Sequence, residues 1–314
     1  MSAPTQAPAA PRRTTKRQKT WDASERGIIS SHDRKNSGIR ITTTTVGVLL
    51  FIALIVASIG PLFFMFKAGS SSAQDTIREP FGLWPSGFSW EYFAEAFSRV
   101  NFGTYLLNTL WVCLGAWVVA IVVSTTAGYF LGILRPRYAV VLEALVMVTM
   151  LIPSIVSMVA LYSMIVDFPI LHVNLVNTFW SVWFPMGVSS FTVLLVTNSF
   201  KSIPRDLFEA AKLDGASNLR IFVSIVLPMQ KPVLGVVSLL NLVSSYKDFL
   251  WPMLTLRDSD MQPLSVALPK LEGVTALPTY MAALFMALLI PVLIFLVFHK
   301  QFLSSAGAQG AVKE

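Results

Sequence analysis

The sequence predicts an all-α integral membrane protein with six transmembrane helices, on three observations. Of 314 residues, 54% are hydrophobic and 13% charged, with a mean hydropathy of +0.64, whereas a soluble domain carries about 25% charge. The missing charge is concentrated in six long runs nearly free of Asp, Glu, Lys and Arg. At about 1.5 Å rise per residue, each run can cross the roughly 30 Å of bilayer hydrocarbon.

Residues 1–40 are rich in Ala, Pro, Ser, Thr, Arg and Lys. With so little apolar surface to offset ordering entropy, they are expected to form a disordered cytoplasmic tail. Its "RRTTKRQK" reads either as a solvated strip that fixes orientation or as a contact for anionic lipid or nucleic acid. The first apolar run starts too late and is too long for a cleaved signal peptide, so it is expected to stay as a span.

A transmembrane domain over 41–302 holds the six spans, the first being Ile41–Phe66. Asn101–Leu134 is uncharged, and Tyr138–Val166 carries Glu143 near its start. Phe168–Phe200 opens with a loop, "FPILHVNLVNT". Pro232–Leu256 contains Lys247 and Asp248, Gly273–His299 carries no charged residue, and a cytoplasmic tail covers 303–314. Eighteen Lys and Arg lie in the tails, the 135–137 turn and the 201–231 loop, against five in the loops of the other side. The positive-inside rule therefore puts both termini and the 201–231 loop in the cytoplasm. The net charge of +7 follows from this topology, and no nucleic-acid partner is expected.

On the outer side, residues 67–100 combine Trp84, Trp90, Tyr92 and Phe93 with turn residues, as an interfacial aromatic belt or a protein contact does. In the second span Ala116, Ala120, Ser124, Gly128 and Gly132 recur every four residues. Such a stripe lets another helix backbone approach closely. Pro153, "PMG" at 185–187 and Pro291 interrupt other spans, as packing kinks or as broken helices beside a solute path. Cys113 is the sole cysteine, and His32, His172 and His299 are scattered. No disulfide, metal cluster or nucleophile–base pair is expected.

The most informative stretch is polar: "SIPRDLFEAAKLDGASNLRIFVSIVLP", from 202 to 228. Pro204 and Asp206 suit a helix start. Leu207, Ala210 and Ala211 fall on one face, and Gly215 supplies a left-handed stop. Ser217 can cap a second helix with Ile221, Phe222 and Ile225 aligned, and Pro228 ends it. The reading is a short amphipathic helix, a tight bend and a second helix. Its Ala–Ala pair gives a smooth surface for close docking, and Glu209 offers a charge to a basic partner. A pair of helices lying on the membrane surface is the plainer alternative.

Glu209-Ala210-Ala211, then Asp214-Gly215, then Ile225, Leu227 and Pro228, resembles the EAA loop of ABC importer permeases. Over roughly residues 80–314, "NTLWVCLGAW", "LIPSIVSMVALY", "IFVSIVLPMQKP", "YKDFLWPML" and the terminal "GAVK" resemble the carbohydrate-uptake, maltose-type (MalG-like) branch. Where that branch commonly reads Trp-Asn-Asp, this chain has Tyr246, Lys247 and Asp248, and Ala160 stands where Pro is frequent.

The resemblance implies a type I ABC importer permease fold in a prokaryotic cell membrane. It implies a partner permease making a heterodimer, two ATPase subunits, an extracytoplasmic solute-binding protein and a sugar, a di- or oligosaccharide, as substrate. Glu209, Ala210, Ala211, Asp214, Gly215 and Pro228 are then the ATPase-coupling residues, and Gly310, Ala311, Val312 and Lys313 a second ATPase contact. No Gly is followed by Lys, so the chain has no phosphate-binding loop of its own. It is expected to be no enzyme and to bind no cofactor, with ATP and magnesium held by the partner ATPase.

Lys247 and Asp248 form the one adjacent charged pair inside a span, at about 2.5–3.5 kcal/mol per charge near the bilayer centre. With Tyr246 they either line the solute path or bond a neighbouring helix. A glycerol-phosphate importer is an alternative favoured by the basic Lys247, and an ion-coupled secondary transporter one of a different class. The latter needs inverted repeats and a buried carboxylate relay, for which Glu143 and Asp248 are the only candidates within the spans.

Overall fold

The computed structural model describes residues 37–311 apart from 81, 86 and 170, with side chains as far as His299. Fifteen α-helices follow in order: α1 (Ser37–Ser70), α2 (Ala73–Arg78), α3 (Glu91–Arg99), α4 (Phe102–Tyr129), α5 (Ala139–Thr149), α6 (Ser154–Val166), α7 (Trp180–Gly187), α8 (Ser190–Lys201), α9 (Arg205–Leu213), α10 (Asn218–Ile221), α11 (Leu227–Met229), α12 (Lys231–Lys247), α13 (Leu250–Thr255), α14 (Leu264–Lys270) and α15 (Leu277–Ala311). Two π-helical segments, Phe130–Leu134 and Phe222–Val226, extend α4 and join α10 to α11. The chain divides into two compact units after Pro61.

The first unit contains the opening part of α1, which starts at Ser37, inside the expected 1–40 tail. The tail's earlier residues lie outside those described. The hydroxyl of Thr43 donates to the Ile39 carbonyl at 2.8 Å, keeping a polar group satisfied within the helix.

Among the described residues, Ser37–Ser70, Phe102–Leu134 and Leu277–His299 are each long and apolar enough to span a membrane. Three bent helix pairs bring the candidate spans to six. Two of these bends fall at Pro153 and at 185–187, where interruptions were expected, and the third lies at Gln230. The expected Tyr138–Val166 span is α5 and α6, bent by 106°. Pro153 stands at that bend with ψ 130, lacking the N–H that would continue the helix. After Pro185 and Gly187, Val188 turns extended, and α7 meets α8 at 49°. The expected continuous span Pro232–Leu256 stops at Lys247, where Asp248 turns extended before α13 begins. At its other end α12 meets the Asn218–Met229 segment at 77°, across Gln230. Pro291, by contrast, breaks nothing. Helix α15 runs through it to Ala311 and takes in most of the expected 303–314 tail.

In the second unit the small-residue stripe does what its spacing predicts. Ala116, Ala120, Ser124, Gly128 and Gly132 are all buried. A methyl group added at Gly128 would lie 2.8 Å from Val196 of α8, and one at Gly132 would lie 2.9 Å from the Thr197 carbonyl oxygen. Helices α4 and α8 are therefore in near-backbone contact. Toward the other end of α4, Gly115 leaves room for Trp183 of α7, whose indole N–H donates to the Trp111 carbonyl at 3.0 Å. Trp183 also meets Trp111 edge-on at 6.2 Å and Trp180 at 4.9 Å.

Around residues 66–93 an aromatic cluster joins Phe66, Phe88, Trp90 and Phe93 to Phe285 of α15. Trp84 stacks on Phe88 while remaining largely exposed. The buried Lys67 extends its ammonium to the Glu79 carbonyl. Its charge is thus met by a backbone acceptor, as a buried ammonium requires.

Gly115→Ala places Cβ 2.1 Å from the Trp183 ring, so the indole must leave its seat. Overpacking of this kind costs about 1–3 kcal/mol. A lowered unfolding midpoint of the detergent-solubilised protein is expected, and Gly103→Ala, with its nearest neighbour at 3.8 Å, should leave the midpoint in place.

Candidate functional site

Two regions gather the residues singled out by the sequence. The first is the polar loop. Pro204 caps α9 and Asp206 lies in its first turn. At the end, Gly215 at φ +77° donates its N–H to the Lys212 carbonyl at 3.0 Å, and Ala216 donates to Ala211 at 2.9 Å. This paired closure satisfies two helix-end carbonyls and requires a left-handed residue at 215. An added methyl group there would meet nothing within 4 Å. Backbone conformation alone therefore selects glycine. Ser217 then caps α10, its hydroxyl accepting from the Arg220 N–H at 3.3 Å.

Helix α9 presents three faces, which corrects part of the sequence reading. Ala211 is buried with Phe208 against Tyr129, Phe200 and Ile221. It packs the knob onto the spans and is not part of an Ala–Ala docking surface. Leu207, expected to share one face with Ala210 and Ala211, is 41% exposed, unlike the buried Ala211. Asp206, Ala210 and Leu213 point outward, with Leu213 89% exposed. Arg205, Glu209 and Lys212, at i, i+4 and i+7, line a cavity shared with the end of α4. Asp214 is exposed and forms the C-cap. Beyond the bend Ile221, Phe222 and Ile225 pack inward as expected. The Tyr129 ring lies 5.0 Å from Phe222, and its hydroxyl donates to the Asn218 carbonyl at 3.1 Å. The break falls at Gln230, two residues past Pro228, where Gln230 accepts from the Ser199 hydroxyl at 2.5 Å.

The second region is the corner between α12 and α13. A proline in a helix leaves the carbonyl four residues earlier without its usual donor. For Pro185 that carbonyl belongs to Ser181, and it accepts from the indole N–H of Trp251 at 2.9 Å. For Pro291 it belongs to Ala287, and it accepts from the hydroxyl of Tyr246 at 2.6 Å. Tyr246 therefore bonds a neighbouring helix, one of the two roles its sequence position allowed. Asp248 accepts from the Trp251 N–H at 3.3 Å, holding the corner's turn. Asn241 donates to the Met186 carbonyl at 2.9 Å, close to where α7 ends.

Around this corner opens a cleft of 650 Å³. Ser154 and Ser157 come from α6, Ser189 from the α7–α8 break, and Ser244, Ser245 and Asp248 from the end of α12. Ser245 is buried, and among the described residues its hydroxyl has no partner. The sequence reading missed these serines. The signal was present in the two proline breaks and in "SSYKD", but only the fold brings the three helix ends together. Lys247 is exposed and lines a separate cavity that shares Met186, Ser189 and Ser244 with this cleft, without an ion pair among the described residues. Glu143, the other carboxylate expected within a span, pairs with Lys201 of α8 at 2.5 Å. Of the expected C-terminal contact, Gly310 and Ala311 end α15, while Val312 and Lys313 lie outside the described residues.

This architecture of broken spans and a polar knob has close relatives. Residues 124–302 match the family described as binding-protein-dependent transport system inner membrane component. The chain belongs to that family. It is 30% identical over 275 residues to the melibiose/raffinose/stachyose import permease protein MelC of Bacillus subtilis, covering 86% of this chain and 98% of that protein. It is 26% identical to the sn-glycerol-3-phosphate transport system permease protein UgpE of Rhizobium meliloti, over 84% of this chain and 95% of that one. A bacterial ABC transporter involved in the import of the acidic polysaccharide alginate has the same fold. Its crystal structure aligns with a TM-score of 0.77 at 22% identity, over 85% of this chain and 98% of that chain. The protein is thus a non-catalytic, multi-pass permease subunit of an ABC importer in a bacterial inner membrane. Membership of this family replaces the ion-coupled alternative.

In this permease Trp251→Phe removes the donor to Ser181 and should cost about 1–3 kcal/mol, the penalty of a buried unmet carbonyl. Pro185→Ala restores a backbone donor to the same carbonyl. In a double-mutant cycle the pair should couple favourably by thermal unfolding, and simple additivity would refute the assignment.

Proposed function

We propose that this permease and a partner permease form the path for a neutral di- or oligosaccharide, delivered by an extracytoplasmic binding protein and driven by two ATPase subunits. The observation that carries the substrate class is the serine-lined cleft with the unpartnered hydroxyl of Ser245. A buried polar group without a protein partner calls for water or ligand, and hydroxyls facing hydroxyls suit a sugar. Permeases similar to this chain include one for melibiose, raffinose and stachyose and one for arabinooligosaccharides. The excess of basic residues at the 201–231 loop and the termini supports a cytoplasmic position for both.

In this reading α9 is the coupling knob of the EAA type. Its outward face, Asp206, Ala210 and Leu213, meets the ATPase, and its buried Ala211 passes the movement into α4 and α8. The Schellman closure at Asp214 and Gly215 keeps the knob short and rigid. Residues 310–313 add a second contact to the ATPase.

Sugar phosphates and glycerol phosphate form the second reading, favoured by the similarity to UgpE and by Lys247, without an ion pair among the described residues, in a cavity that adjoins the cleft at Met186, Ser189 and Ser244. Uptake into vesicles with ATP inside separates the two. Lys247→Met should leave disaccharide uptake unchanged, and its loss together with glycerol-phosphate uptake would favour the anionic substrate. Ser189→Ala with Ser245→Ala should raise the KM for the sugar by about fivefold per lost hydrogen bond. Gly215→Val should assemble poorly or uncouple ATP hydrolysis from uptake, and normal uptake would overturn the role given to α9.

A further inference from the structure

We infer that the basic pocket between α9 and the end of α4 binds the phosphate of an anionic membrane lipid. The pocket holds about 330 Å³. Arg135, Lys201, Arg205 and Lys212 stand on its lining with a single carboxylate, Glu209. Lys201 is already engaged with Glu143. Arg135, Arg205 and Lys212 have no ion-pair partner among the described residues. Three free cations face one anion, so the pocket carries an excess of positive charge.

Local structure aims these groups. The π-helical segment Phe130–Leu134 closes with the Arg135 N–H on the Phe130 carbonyl at 3.0 Å, leaving Arg135 at φ +42°. A non-glycine residue in this region is held at a cost, and here it turns the chain at a residue that lines the pocket. Across from it, Arg205 and Lys212 repeat at helical spacing along α9. Guanidinium groups suit phosphate oxygens through paired N–H donors.

The lining also has an apolar part, including Ile133 and Leu134, and Leu134 is 44% exposed. A soluble anion has no use for that surface, whereas the glycerol and first methylenes of a lipid do. The inference rests on the topology proposed above, which brings the ends of α4 and α8 to the inner leaflet. There, headgroup phosphates are at the depth where basic pockets between helices take them. A bound lipid would tie α9 to α4 and so make the knob stiffer when anionic lipid is present.

The test uses the complete complex, purified with its partner permease and ATPase. Native mass spectrometry in mixed micelles should show phosphatidylglycerol retained over phosphatidylcholine. Arg205→Gln and Lys212→Gln should each reduce that retention by about fivefold, the worth of one cation near a lipid surface. Equal retention of the two lipids by the unaltered complex would overturn the inference without need of any variant. Displacement of phosphatidylglycerol by millimolar inorganic phosphate would also overturn it, assigning the pocket to a soluble anion. Sugar uptake in the same preparations keeps the two readings apart, since a complex that transports sugar without lipid preference sinks only the lipid site.

Discussion

A broken helix in an apolar environment must find a donor for every carbonyl it exposes, because no bulk water is at hand. That constraint organises this permease around the short stretch from Tyr246 to Trp251. Two prolines on different helices free two carbonyls, at Ser181 and Ala287, and the two aromatic residues flanking one corner cap both. The corner itself is a break, held by Asp248 on the Trp251 amide. One interruption thereby makes two prolines tolerable, one just before the break after α7 and one inside the unbroken α15. The result explains why an aromatic residue with a polar hydrogen stands on each side of the charged pair, where an aliphatic residue would pack equally well.

The same economy links the broken spans to the loop. Gln230 turns the chain into α12 and is bonded by Ser199 of α8, while Tyr129 of α4 reaches Asn218. The loop is thus fastened at its middle to α4, which carries the small-residue stripe, and at its far end to α8, which packs on that stripe. Ala211 and Ile221 complete the fastening from inside. A displacement of α9 has few soft points in which to be lost before it reaches α4 and α8, whose backbones touch at Gly128 and Gly132.

Much of this was legible in the sequence, because the relevant signals are local. Hydropathy located the apolar runs, the four-residue spacing of Ala116 to Gly132 located a packed face, and Gly215 with Ser217 located the bend. What was not legible depends on geometry between distant segments. Pro153 marked the interruption between α5 and α6, but whether it kinks the run or folds it through 106° depends on what the two halves pack against. Tyr246 looked like a candidate for the solute path because it neighbours two charges, and only the position of Ala287 shows where its hydroxyl goes. The direction of Ala211 was lost because Ala210 and Ala211 are adjacent, and one-residue errors in phase exchange an inward face for an outward one. The serines of the cleft come from three helix ends far apart in sequence, so no window along the chain contains them together.

The indoles of Trp111, Trp180 and Trp183 lie within 6.2 Å of one another through Trp183, at nearly perpendicular angles. They straddle α4 and α7, one of the seams that any opening of the cleft would have to shear. Transition dipoles held this close exchange excitation, and the sign and size of the resulting near-ultraviolet circular dichroism depend on their mutual tilt. The molecule thereby contains its own optical protractor for the break at Pro185, readable without a label.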